Sequence, residues 1–313
     1  MIVTVTLNPS IDRTLRVDGL KRGGVNRVEL VRLDAGGKGV NVSRALAAYG
    51  CPTHAIFVSA ALGGEWMSAE LDKAAISHTA VPAEGITRSN ITLVDADGTV
   101  TKLNEPGVTL TPDVLNAVES ALEAIDLKGQ WVVFAGRLNP GADDSTYAEL
   151  VSFCKARGAK VVLDASGKSL DLALPAGPDL IKPNQHELGG IVGRTLKTVG
   201  EVVAAAQEVR AMGVGTVLCS LGKDGALLIS EAGVVHVEPA AEVIGTPVGA
   251  GDILLATYLA GVDSDAALAG AVRWSAASVA LPGTAIPTPE QAAAVQVLVH
   301  PTVELNRELR EVS

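Results

Sequence analysis

Aromatic residues are scarce in this chain: three each of Phe, Tyr and Trp, or 3% of 313 residues. So few rings argue against a stacking surface for bases or glycans. They leave aliphatic side chains and alanine to build the core. Positive charge is also short, with 25 Lys and Arg against 35 Asp and Glu, a net charge of −10. A protein of that sign is repelled by nucleic-acid phosphates and anionic lipid, so neither is expected as a partner. A small anionic substrate stays open, because local cations override a global sign. The cysteines are Cys51, Cys154 and Cys219, an odd count without CxxC or zinc-finger spacing, and are read as buried reduced thiols. The apolar run from Ile253 to Ala260 falls far short of the ~18 residues of a membrane span. The N-terminal MIVTVTLNP shows no basic segment before an apolar stretch and no cleavage site, so a cytoplasmic location is expected.

Short apolar runs alternate with alanine-rich amphipathic stretches. Ile2–Leu7, Ala55–Ser59, Trp131–Ala135, Lys160–Asp164, Leu180–Lys182 and Thr216–Ser220 read as strands. Val40–Tyr49, Met67–Ala74, Pro112–Ala124, Ser145–Ala156 and Val199–Met212 read as helices. That rhythm predicts an α/β fold, with a mostly parallel sheet flanked by helices on both faces. Thr14–Val17, Arg27–Leu33, Ser89–Asp95 and Thr99–Leu103 instead alternate polar and apolar, the last two around an Ala96-Asp97-Gly98 turn. They read as a small antiparallel β lid or, equally, as edge hairpins without a role. Ala292–Ser313 reads as a terminal helix followed by a charged tail.

Four segments carry possible chemistry. Gly249-Ala250-Gly251-Asp252 opens an apolar helix; unpaired N–H groups and the helix dipole there attract anions. Asp252 is either a reactive carboxylate or a plain N-terminal stabiliser. Asp34-Ala35-Gly36-Gly37-Lys38-Gly39-Val40-Asn41-Val42-Ser43-Arg44 is neither a P-loop nor a dinucleotide fingerprint. It is a turn where backbone approaches a ligand, with Lys38 and Asn41 as donors, or a packing turn. In Lys182-Pro183-Asn184-Gln185-His186-Glu187, the amide and the carboxylate suit water-mediated magnesium binding or a helix capping box. Ser220-Leu221-Gly222-Lys223-Asp224-Gly225-Ala226 is a hairpin-like turn after a strand. In open parallel sheets ligands sit beyond the carboxyl ends of the strands, where these segments are expected.

Taken together and in this order, these segments resemble the ribokinase-like sugar kinases of the PfkB type, in particular the phosphosugar branch of 1-phosphofructokinases and tagatose-6-phosphate kinases. Thr6-Leu7-Asn8-Pro9-Ser10-Ile11-Asp12-Arg13 looks like the opening of that branch; the Gly36–Val42 and Gly249–Asp252 segments match the two family signatures. The resemblance covers essentially the whole chain. It implies one domain over 1–313, with a β lid formed by about 12–33 and 87–104. It implies Asp252 as general base and Gly249, Ala250 and Gly251 as an anion hole. Asp12, Gly37, Lys38, Gly39 and Asn41 would hold the sugar, and Arg88, Lys102 and Arg27 its existing phosphate. Lys182, Asn184, Ser220, Gly222, Gly225, Gly283 and Thr284 would line the ATP site, with Asn184 and Glu187 organising Mg²⁺ through water. Lids of this kind often mediate dimers, so a homodimer through the lid is expected.

Two positions depart from the family pattern. Arg137, in Ala135-Gly136-Arg137-Leu138-Asn139-Pro140, replaces a small residue facing the sugar, and either adds a phosphate contact or narrows the site. Ile253 follows Asp252 where serine is usual. The leading expectation is an ATP- and Mg²⁺-dependent kinase of a ketohexose phosphate, acting on the 6-hydroxyl of fructose 1-phosphate. Alternatives are a kinase of tagatose 6-phosphate or fructose 6-phosphate, a non-catalytic sugar-phosphate sensor and, remotely, a dinucleotide-binding oxidoreductase.

Overall fold

The computed structural model describes residues 1–262, 264 and 266–310. Numbered in chain order, the strands of the main sheet are β1 (Ile2–Thr6), β4 (Thr53–Ala60), β5 (Ser77–Ala83), β8 (Trp131–Ala135), β9 (Lys160–Asp164), β10 (Leu180–Ile181), β11 (Thr216–Ser220), β12 (Ala226–Ser230), β13 (Gly233–Pro239) and β14 (Val297–His300). A second sheet contains β2 (Ser10–Val17), β3 (Val28–Gly36), β6 (Arg88–Asp95) and β7 (Val100–Asn104). The helices are α1 (Lys38–Tyr49), α2 (Ala61–Lys73), α3 (Pro112–Glu123), α4 (Thr146–Ala156), α5 (Lys168–Ala173), α6 (Gln185–Ile191), α7 (Val199–Ala211), α8 (Ala250–Ala260), α9 (Ala267–Val279) and α10 (Pro289–Ala294).

Among the described residues the main sheet has the order β14-β13-β12-β11-β10-β9-β8-β1-β4-β5. From β11 to β5 every pair is parallel; β12, β13 and β14 extend it antiparallel. From β1 the chain winds to β4 and β5 on one side, then returns to build β8 to β11 on the other. The carboxyl ends of β1 and β8 thus flank a topological switch point, the crevice where such sheets bind ligands.

Helices cover both faces, which is why the parallel strands are apolar at nearly every position. Alternate side chains of one strand enter different cores. Val132 and Phe134 pack with α3, α4 and α7 residues such as Val118, Leu150 and Val202; Val133 and Ala135 pack with Leu46, Leu255 and Val272 of α1, α8 and α9. Helix α8 lies within the second core and buries Ala250 and every residue from Asp252 to Leu259. It is apolar all round because it has no solvent face.

The expected strands and helices are present, most within two residues of the expected bounds. Helix α2 starts at Ala61, six residues before the expected Met67. Gly63 and Gly64, in the part of the helix outside the expected bounds, serve close approach: a Cβ would stand 2.6 Å from Thr87 Cβ and 2.0 Å from Ser59 Oγ, respectively. The chain end is a correction. Only Pro289–Ala294 is helical, and Val297–His300 joins the sheet as an edge strand; of the expected tail, 311–313 lie outside the described residues. Cys154 and Cys219 are buried free thiols, whereas Cys51 is only half-buried. No helix among the described residues is long and apolar enough to cross a membrane.

The small sheet has the order β3-β2-β6-β7: two antiparallel hairpin pairs joined by a parallel β2–β6 pair. Its register sorts the side chains by face. Asp34, Asp12, Asn90 and Asn104 form one row across the strands; Arg32, Thr14, Thr92 and Lys102 form the next on the same face. The other face carries Leu33, Arg13, Ile91 and Leu103, then Leu30, Leu15, Leu93 and Thr101.

Phe134 is fully buried beside Tyr147. Phe134→Ala is expected to cost about 3–5 kcal/mol, read from the urea midpoint at unchanged m-value.

Candidate active site

Asp252 occupies the first turn of α8, ahead of an apolar run, so its carboxylate is 6% exposed. Gly249 caps the helix with φ +77°, a left-handed conformation that glycine adopts without strain. The Ala250 N–H donates to Pro247 O at 3.3 Å; those of Gly249 and Gly251 have no protein acceptor among the described residues. Two free amides at a helix N-terminus next to a buried carboxylate leave an opening that favours an anion.

Four side chains frame this opening. Asn41 of α1 donates from Nδ2 to Asp252 Oδ2 at 2.8 Å. Asp164, at the carboxyl end of β9 and fully buried, pairs with Lys38 Nζ at 2.8 Å and Lys182 Nζ at 3.2 Å. Lys182 Nζ also lies 3.0 Å from where a Gly251 Cβ would stand, so the glycine makes room for the ammonium at the helix mouth. Burial pushes the Asp252 carboxyl up from 3.8 to about 6, the negative charge of Asp164 adds to the rise, and Lys38, Asn41 and Lys182 oppose it. The two lysines hold Asp164 below the ordinary carboxylate range against its own burial. Lys38 is pushed up by Asp164 and Asp252, which outweigh its desolvation, and stays charged.

At the base of the lid, Asp12 Oδ1 accepts from Ser10 Oγ at 2.7 Å and Asn90 Nδ2 at 3.0 Å. Burial raises the Asp12 carboxyl all the same. Gly36 sits directly beneath it, since a Cβ there would be 2.2 Å from Asp12 Oδ2. A Cβ on Gly37 would meet Pro9 Cα at 2.9 Å, and one on Gly39 would meet Thr6 Oγ1 at 2.4 Å. Arg88 donates to the carbonyls of Asn8, Pro9 and Glu105, while desolvation and the charge of Arg137 weaken its hold on its proton. The carboxylates of Asp12 and Glu105 act in the opposite sense on Arg88, and a phosphate dianion would do the same. Lys102 is exposed on the face that carries Asp12 and Arg88, two positions along from Asn90; Arg27, just before β3, is exposed and is not brought to this cluster.

On the opposite flank, Asn184 caps α6: its side chain accepts from Glu187 N at 2.9 Å, and Glu187 Oε2 accepts from Asn184 N at 2.8 Å. The capping box is therefore real and occupies one oxygen of Glu187. Asn184 bridges to Ser220, which opens the turn over Gly222–Asp224, with Gly222 at φ +59° and Gly225 at φ +76°. Gly283 and Thr284 lie between lid and helix mouth. Gly283 stands under Thr14 and Arg32, and Thr284 abuts Gly249 and accepts from Arg44 Nη1 at 3.3 Å.

The fold thus gathers Asn41, Lys38 and Lys182 around Asp252, Asp164 and the Gly249–Gly251 helix mouth. Glu187 of the Asn184 capping box is near enough for its charge to act on Lys38, and Asn184 adjoins the Ser220–Gly225 turn, while Asp12 and Arg88 lie at the lid base. Two contributors escape a motif-based reading. Asp164 ends an apolar strand, and only its lone charge there signals a buried partner. Arg44 links the lid to the helix mouth: Nη2 donates to Asp34 Oδ1 at 2.8 Å and Nη1 to Asn41 Oδ1 at 3.4 Å.

No cluster of three or more His, Cys, Asp or Glu side chains suited to a metal occurs among the described residues. The donor set that is present, the second oxygen of Glu187 and the Asn184 amide, offers hard oxygens in a number that fits Mg²⁺ retaining most of its water.

Comparison with known proteins follows the same outline. The pfkB family of carbohydrate kinases matches residues 3–291. A 1-phosphofructokinase from Rhodobacter capsulatus is 38% identical over 303 residues, covering 94% of this chain and 95% of its own. The ATP-dependent 6-phosphofructokinase isozyme 2 of Escherichia coli is 32% identical over 280 residues, covering 88% and 90%. The solved structure of the tetrameric inhibited form of phosphofructokinase-2 from Escherichia coli superposes with a TM-score of 0.86 at 30% identity, covering 94% of this chain and 97% of its own.

The raised Asp252 carboxyl has a cost in stability. The unfolded chain ionises near 3.8 and the folded one near 6, so stability falls as pH rises between these values and stays lowered above them. Asp252→Asn is expected to raise stability at pH 7 by up to about 3 kcal/mol and to add nothing near pH 3.5, as read by paired denaturant melts.

Proposed function

Because the chain belongs to the pfkB family of carbohydrate kinases and is an ATP-dependent sugar phosphate kinase of the phosphofructokinase type, we propose that it transfers the γ-phosphoryl group of ATP to the 6-hydroxyl of fructose 1-phosphate, with Asp252 as general base. The observation that carries this reading is the Asp252 carboxylate, buried beside two free amides and raised to about 6. A base poised one unit below neutrality is ionised at pH 7 yet basic enough to take a hydroxyl proton. In the step, the sugar oxygen bonds to the γ-phosphorus as its proton passes to Asp252. The bond from that phosphorus to the β–γ bridging oxygen breaks, and ADP leaves. The Gly249 and Gly251 amides and Lys182 face the charge that develops on the moving phosphoryl oxygens. Lys38 serves the same charge from the other side of Asp164. Asn184 and Glu187 are the residues that would hold Mg²⁺ through water; when bound, the ion neutralises phosphate charge.

Asp12 and Asn41 are assigned to the sugar hydroxyls, and Arg88 with Arg137 to the phosphate already on the sugar. Lys102 and Arg27 are assigned to the same phosphate, which requires the lid to bring them inward. The Ser220–Gly225 turn, with Gly283 and Thr284, is assigned to the nucleotide. A sensor without activity is set aside, since the matching family model describes carbohydrate kinases and the relatives are named phosphofructokinases. The reversed substrate orientation, with fructose 6-phosphate or tagatose 6-phosphate phosphorylated at the 1-hydroxyl, is the second reading; the Escherichia coli relative named as a 6-phosphofructokinase favours it.

The lid is assigned a second role as a dimer contact. Its apolar face leaves Val28, Leu30, Leu33 and Leu103 each between 39% and 53% exposed, on a sheet whose opposite face is polar. Edge-strand leucines in such numbers suit a second copy of the same sheet.

Three outcomes are expected. Asp252→Asn lowers kcat by about a thousandfold or more while fructose 1-phosphate still binds, and kcat/KM of the native enzyme falls tenfold per pH unit below about pH 6. Turnover unchanged by that substitution refutes the assigned base. In an ADP-release assay fructose 1-phosphate outruns fructose 6-phosphate and tagatose 6-phosphate; Arg88→Ala raises KM for the phosphosugar about tenfold or more. Leu30→Asp with Leu33→Asp moves the sedimenting species from dimer to monomer; a native protein that sediments as a monomer removes the dimer.

A further inference from the structure

The C-terminal segment does not hang free as a charged tail. Leu309 N–H donates to Lys197 O at 2.9 Å, and Leu305 O and Arg307 O accept from Gly200 N at 2.8 Å and Val199 N at 3.0 Å. A Cβ on Gly200 would stand 2.7 Å from Leu305 O, so that glycine lets the segment lie against the start of α7. From this berth two arginines reach the turn after β11. Asp224, fully buried in that turn, accepts from Arg307 Nη2 at 2.6 Å, Arg310 Nε at 2.8 Å and Arg310 N at 2.7 Å. Glu238 of β13 accepts from Arg307 Nη1 at 2.8 Å, Arg307 Nη2 at 2.6 Å, Arg310 Nη2 at 2.8 Å and His300 Nε2 at 2.9 Å. Arg310 Nη2 also donates to Lys223 O at 2.6 Å, and His236 Nε2 to Asp224 O at 2.8 Å.

A carboxylate with no exposure persists only while it is paired, and here both cationic partners come from the last residues of the described chain. The 3-10 turn they grip, Gly222–Asp224, starts at one glycine of positive φ, Gly222, and is followed by another, Gly225, and Asp224 is the side chain through which the arginines hold it. We propose that Arg307 and Arg310 are positioning residues for ATP: the segment from 304 to 310 latches the Ser220–Gly225 turn through Asp224 and sets where the nucleotide lies. This rests on the assignment of that turn to the nucleotide.

The test uses the full chain with fructose 1-phosphate and ATP. Arg307→Ala with Arg310→Ala is expected to raise KM for ATP, and the dissociation constant of ADP by calorimetry, about tenfold. KM for fructose 1-phosphate, and kcat at saturating ATP, stay within about twofold. Arg307→Lys with Arg310→Lys recovers part of the loss, since lysine restores the charge without the fork. A folded double alanine variant with an unchanged KM for ATP, or with both KM values raised alike, overturns the latch. Should that variant not fold, Glu238→Gln decides in the same assay: KM for ATP about threefold higher at unchanged sugar KM supports the latch, and no change overturns it. Gly222→Ala separates the two levels. If it raises KM for ATP and the arginine variants do not, the latch alone falls; if it too has no effect, the nucleotide assignment of the turn falls with it.

Discussion

Helix α8 has no wet side, so the carboxylate in its first turn stands where water cannot solvate it. That constraint organises the site. An isolated charge there would cost too much, and the neighbours supply one amide donor, Asn41, and two ammonium groups shared with a second buried carboxylate, Asp164. The balance raises the Asp252 carboxyl to about 6, so it is ionised at neutral pH and more basic than an ordinary carboxylate, as the proposed general base requires. The same helix mouth leaves the Gly249 and Gly251 amides unpaired, so the proposed proton acceptor and the proposed phosphoryl cradle share one local feature.

An acidic protein that handles two phosphorylated molecules must concentrate its cations. Lys38 and Lys182 meet at Asp164, and Arg88 at the lid base feels the charge of Arg137. Asp164 holds both lysines by one carboxylate, so the trio keeps a net positive charge beside the α8 helix mouth. Arg44 ties Asp34 of the lid strand β3 to Asn41, and through it to Asp252, so the lid base and the α8 carboxylate share one hydrogen-bonded line.

Much of the architecture is legible in residue order. Trp131–Ala135, Lys160–Asp164 and Thr216–Ser220 stand out as apolar runs of strand length and are strands over those same residues, because a doubly covered strand has little room for polar side chains. The lid strands declare themselves by alternation, because one face looks at water. The start of α2 does not: its first turns hold Gly63 and Gly64, whose fit against Thr87 and Ser59 is a tertiary contact. The chain end reads as a loose charged tail, because the buried partners of Arg307 and Arg310 lie more than sixty residues upstream.

Motifs that act through their own backbone are visible in one dimension. Glycine turns opening a helix, a strand-end Asn-x-x-Glu and an aspartate in a first turn follow from local conformation, and local conformation is written in adjacent residues. Whether Asp252 is a reactive base or a helix stabiliser, and which of the lone charges at Asp164, Arg44 and Arg307 matter, depends on desolvation and on partners distant in the chain. Those are properties of burial, and burial exists only once the two cores have closed around α8.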